Sequence, residues 1–163
     1  MSEVTGSPAR WARDMAVIGG SASVSMPLMG ALLVGLPIGY VAAAGIAGAV
    51  TGGGVGALMP GLLERLRGRI PLAALLVGLG PIIGALWGAA VGVLAAPAVG
   101  AHMLPLSVLT AGIGGALQFG LWWFPYTFQT VRKAPVLPVV LMAAVSAPIL
   151  GVLTVLSVLG LMF

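Results

Sequence analysis

The chain contains no cysteine, one histidine and three acidic residues. Without thiols it cannot form disulfides, thiolate metal sites, iron–sulfur clusters or cysteine nucleophiles, and the redox compartment stays open. The acids are Glu3, Asp14 and Glu64, and all lie outside or at the edge of the long apolar segments. Charge within a membrane span usually marks an ion path or proton relay. The sequence therefore speaks against proton- or cation-coupled transport, carboxylate metal sites and paired-carboxylate catalysis. His102 sits in a short loop bounded by prolines, without the further ligands that a metal or haem needs. It is also the only base available to activate a serine, and it lies away from the spans. No catalytic residue, metal or cofactor is expected.

Charge of either sign is scarce. Only 6% of the 163 residues are charged and 60% are hydrophobic, whereas soluble domains carry about 25% charged residues. So few charges cannot cover a soluble surface of this size, and lipid is the solvent that tolerates the apolar side chains. The net charge of +4 comes from seven scattered cations, with no patch dense enough for nucleic acid. Residues 1–14 lack the apolar core of a signal peptide and read as a retained cytoplasmic tail. Residues 15–163 read as a single transmembrane domain. A composition rich in Ala, Gly, Val and Leu, with Arg favoured over Lys, points to a bacterium.

A membrane helix needs about 20 apolar residues. Charges divide the chain into uncharged stretches from Met15 to Leu63, Ile70 to Val131 and Ala134 to Phe163. The first two are long enough to fold back once each. Pro37, Gly39 and Tyr40 offer the turn in the first; Pro97 to Pro105, around His102, offers it in the second. The expected architecture is an all-α membrane bundle with about five spans, over residues 15–38, 41–63, 71–96, 106–124 and 137–161. An alternative lays Met15–Met26 on the membrane surface, starts the first crossing at Leu28 and turns near Gly52–Gly53–Gly54. Two similar runs, PLMGALLVGLPIG from Pro27 and PLAALLVGLGPIIG from Pro71, begin at different depths and are read as chance in a small alphabet.

Cytoplasmic loops collect Lys and Arg. With five spans, Arg10, Arg13, Arg65, Arg67, Arg69, Arg132 and Lys133 all fall on one side. This places the N-terminus in the cytoplasm and the C-terminus outside, in a bacterial inner membrane. Trp11, Trp122, Trp123 and Tyr126 fall near the same boundary, where amphipathic rings prefer to lie. Arg65, Arg67, Arg69, Arg132 and Lys133 also suit anionic lipid headgroups, although their topological role accounts for them equally well.

Small residues recur at spacing four, which keeps them on one helical face. The series are Gly48–Gly52–Gly56, Gly80–Gly84–Gly88–Gly92, Gly112–Ala116–Gly120 and Ala143–Ala147–Gly151. In lipid, helices associate through close backbone approach, so these are expected packing faces. Packing within the subunit is their plainer use, and an oligomer interface is the other. Gln118 is the most polar group expected in the hydrocarbon; an interhelical hydrogen bond is its plainer role, a solute contact the sharper one. Trp122, Trp123 and Tyr126 belong to an aromatic cluster that could hold a quinone, pigment, lipid headgroup or partner, with an interfacial belt as the ordinary reading. The functional expectation is a non-catalytic membrane subunit that packs in lipid against itself or other membrane subunits. The alternatives are a channel or facilitative transporter for an uncharged or hydrophobic solute, and a membrane enzyme whose chemistry resides in a bound cofactor.

Overall fold

A computed structural model of the chain describes residues 7–66, 69–71, 74 and 77–162. Among these, five helices are long and apolar enough to cross a membrane. They are α1 (Pro8–Val34), α2 (Ile38–Leu66), α3 (Leu79–Ala95), α4 (Leu104–Val131) and α5 (Leu137–Met162).

Local chemistry sets the helix ends. Ser7 caps α1 by accepting from the Arg10 amide at 3.2 Å, and Pro8 occupies the first turn, where its missing N–H costs nothing. The helix thus starts at Pro8 rather than Met15 and carries Arg10, Arg13 and Asp14 with it. It continues through Pro27 and ends at Gly35, whose φ of 74° is open to glycine. The amides of Gly35 and Leu36 close the end onto the Ala31 and Gly30 carbonyls. The α1–α2 turn therefore falls at Gly35–Pro37, close to the expected place. Helix α2 runs unbroken through Gly52–Gly53–Gly54, which removes the alternative turn there. Two short 3-10 turns, Ala96–Ala98 and Ala101–Met103, make the second connection around Gly100, with φ 99°. Helix α4 passes Pro125 and reaches Val131, beyond the expected end at Phe124. There the Thr127 and Thr130 hydroxyls donate back to helix carbonyls. Helix α3 begins at Leu79; Leu72, Ala73, Leu75 and Leu76, in the first part of the expected third span, lie outside the described residues.

Each helix packs against its neighbours in sequence, and α5 closes the ring by packing against α1. Glycines set two of these contacts. On α2, Gly48, Gly52 and Gly56 lie against the α1 backbone at Gly19, Met15 and Trp11; a Cβ on Gly52 would fall 2.6 Å from the Met15 carbonyl oxygen. On α3, Gly80, Gly84, Gly88 and Gly92 lie against α4 at Trp123, Gly115, Ala111 and Ser107. The facing series on α4 is therefore Ser107–Ala111–Gly115, with the reciprocal Gly84–Gly115 approach at its centre. The expected series Gly112–Ala116–Gly120 lies beside it. A Cβ on Gly112 would meet Ala85 at 3.6 Å and one on Gly120 would meet the Pro81 ring at 3.3 Å, far looser contacts. On α5, Ala143 and Ala147 are fully buried, and Gly151 lies against α1 at Met26.

Candidate functional site

The antiparallel pairing of α1 with α2, and the contact of α4 with the start of α1, gather the described cations Arg10, Arg13, Arg65, Arg69, Arg132 and Lys133 at one end of the ring. Arg67 lies outside the described residues. Arg65, Arg69, Arg132 and Lys133 are exposed, and the Arg132 guanidinium sits 4.2 Å from the Phe128 ring centre. Phe124 and Phe128 stack at 5.6 Å on the outer surface.

Inside this end lies a cluster joining α1 to α4. Asp14 is only 4% exposed. Its Oδ2 accepts from the Tyr126 hydroxyl at 2.9 Å and lies 3.9 Å from Arg10 Nε; its Oδ1 accepts from Arg13 Nε and Nη2 at 3.1 and 3.0 Å. The Trp11 ring meets Tyr126 edge-on at 4.8 Å and Trp123 at 5.9 Å. The expected placement of Asp14 in a polar tail is thus corrected: the helix starts early enough to carry its carboxylate into the bundle. Trp123 and Tyr126 are likewise buried, so the rings at the outer boundary are Phe124 and Phe128.

Midway along the ring, Gln118 is completely buried. Its Nε2 donates to the Ala143 carbonyl at 2.9 Å, and its Oε1 has no partner. Trp122 donates to the Ser146 hydroxyl at 2.8 Å, a second tie from α4 to α5. The candidate contacts Gln118, Trp122, Trp123 and Tyr126 therefore divide into two sets facing different neighbours, α5 and α1.

The cation-free half of the ring encloses a cavity of about 390 Å³. All five helices line it, through Met26, Ala44, Val91, Ala111 and Val155 among others, and Trp87 contributes its indole. Half-buried Leu36, Val99 and Met103 border it at the two connections. No charged side chain lines it. Its hydroxyls are those of Ser23, Tyr40, Ser107 and Thr110. Ser107 donates to the Gly92 carbonyl at 2.8 Å, so at 2.7 Å from Tyr40 it accepts the tyrosine proton. The indole N–H of Trp87 is buried without an acceptor. The sequence had not singled out Trp87 or Tyr40 as site residues; both read as ordinary apolar helix positions, and only ring closure brings them together.

No family model, curated protein or solved structure matches the chain. The fold defines the class: an all-α integral membrane protein with five membrane-spanning helices.

Proposed function

We propose that the protein is a non-catalytic subunit of the bacterial inner membrane that packs against itself or larger membrane partners, with its N-terminus in the cytoplasm and its C-terminus outside. The carrying observation is how the interior polar side chains are used. Asp14 with Tyr126, Tyr40 with Ser107, Gln118 with Ala143 and Trp122 with Ser146 each tie one helix to another. Such bonds orient helices in lipid and leave no nucleophile–base pair poised for chemistry. The outward face of α2 adds support. Val50 and Leu58 are strongly exposed, and nothing lies within 4 Å of where a Cβ would sit on Gly54 or Gly61, so a further helix can approach closely there.

Cross-linking of native membranes followed by mass spectrometry tests this reading. Stoichiometric links from the outer face of α2 to a second copy or another membrane protein are expected. Recovery of the chain alone, unlinked at native abundance, would overturn it.

The cavity favours a second reading, a facilitative carrier or channel for an uncharged or hydrophobic solute. That reading requires solute flux in proteoliposomes containing this chain alone.

A further inference from the structure

We infer that the cavity within the helix ring is a binding site for an uncharged, mostly hydrocarbon molecule that carries an oxygen acceptor. The site goes beyond both readings above, because a bound ligand is compatible with assembly and with transport alike.

Volume carries the first step. Protein interiors hold few voids larger than a water molecule, and an empty void forfeits the contacts its lining would make. This cavity measures about 390 Å³, within the range of about 300–1,000 Å³ common to small-molecule sites. Small residues at Ala44 and Ala111 hold it open, while larger aliphatics on the same helices, Ile46 on α2 and Leu109 on α4, point outward.

Lining chemistry carries the second. Largely apolar cavities stay dry, and a charged occupant would find no counter-charge among the lining residues. A hydrocarbon body fits. Two of the four hydroxyls, Tyr40 and Ser107, are already chained to the Gly92 carbonyl. The Trp87 indole is different: it lines the cavity and its buried N–H has no acceptor in the protein. Buried donors are rarely left unpaired, and a ketone, ester or quinone-type oxygen would complete this one. Both a free neutral molecule and the ester end of a lipid acyl chain carry this chemistry.

The test uses the full chain in nanodiscs and a medium-chain alkyl ketone bearing a photoactivatable diazirine, with the matching diazirine alkane as comparison. Adducts on Met26 and Val91 should saturate and be competed by unlabelled ketone, whereas those on lipid-facing Leu58 and Leu86 should rise without saturation. Ala44→Phe fills the cavity and should weaken the saturable labelling about tenfold or more; Ala90→Leu, on an exposed face, should leave it unchanged. Val155→Phe serves if Ala44→Phe does not elute as a monodisperse particle. Trp87→Phe should reduce ketone labelling to the alkane level. Labelling that never saturates, or that survives both filling variants, overturns the site. Ketone and alkane labelling equally in the unmodified protein would overturn the acceptor requirement. Organic extraction of protein purified from native membranes then identifies the source, a bound phospholipid or a free neutral compound.

Discussion

Asp14 brings a carboxylate into a bundle where few groups can receive it, and its partners are unequal. Arg13 and Arg10 both reach solvent, with side chains 72% and 37% exposed, whereas Tyr126 is buried. Removing the tyrosine hydroxyl leaves a buried carboxylate oxygen with only Arg10, at 3.9 Å. Tyr126→Phe should therefore cost about 1–2 kcal/mol, since bonds to charged groups exceed neutral ones and membrane cycles cap their worth. Asp14→Asn keeps an acceptor for Tyr126 and frees two arginines that can turn to water, so it should cost less, under about 1 kcal/mol. Thermal unfolding in detergent, followed by tryptophan fluorescence, checks the order; the reverse order would show that the charge, not the hydroxyl, holds the cluster. Gln118 gives a separate residue-level test. Gln118→Met removes the bond to Ala143 but also an unpaired Oε1, so stability should change by no more than about 1 kcal/mol. Normal stability with lost partner cross-links or solute flux would make Gln118 a contact residue instead.

Between elements, backbone approach decides what each glycine tolerates. A Cβ on Gly84 or Gly115 would run into the carbonyl oxygen of the facing glycine, and one on Gly88 into that of Ala111. Each of these Gly→Ala changes should force α3 and α4 apart, at about 1–3 kcal/mol. Gly112→Ala, with ordinary contact space, and Ala90→Leu, on an exposed face, should be nearly silent. Equal tolerance at all five positions would mean that the α3–α4 contact is not set by these glycines. This contrast also shows what the sequence could say. Spacing of four identified the faces on α2 and α3 directly. On α4 both Gly112–Ala116–Gly120 and Ser107–Ala111–Gly115 have suitable sizes, and only the rotation of α4 against α3 selects the second. Span number was legible because Pro37 and the segment from Pro97 to Pro105 break otherwise continuous apolar stretches. The start of α1 was written in Ser7 and Pro8, an N-cap followed by a first-turn proline. Charge nearby pulled the reading to Met15 instead. The Asp14–Tyr126 pair joins residues far apart in the chain, and no local pattern announces it. The cavity is likewise a property of ring closure, with no signature in any single helix.

For the whole molecule, the arrangement of charge predicts orientation. Six described cations gather at one end of the ring, and the opposite end carries only the connections around Gly35–Pro37 and His102. In a bilayer the cationic end is held on the cytoplasmic side, aided by anionic headgroups. The chain has no native cysteine, so single cysteines can be introduced without a background to remove. Cysteines replacing Ser2, Arg67 and Lys133 should react with an impermeant maleimide only after the cytoplasmic face is opened; those replacing Ala101 and Phe163 should react in intact cells. Arg67→Cys and Lys133→Cys each remove one cation of several, too few to invert the bias, and a cysteine at Glu64 provides a check that leaves every cation in place. The result at Phe163 bears the most weight. An odd number of crossings separates the two termini, so labelling of Phe163→Cys from the cytoplasm together with Ser2→Cys would require one helix not to cross. Helix α1 would then be the one to examine, since its first turns carry Arg10, Arg13 and Asp14. Inverted labelling at every site would keep five crossings but show that something other than these cations, such as a partner inserted alongside, sets the orientation.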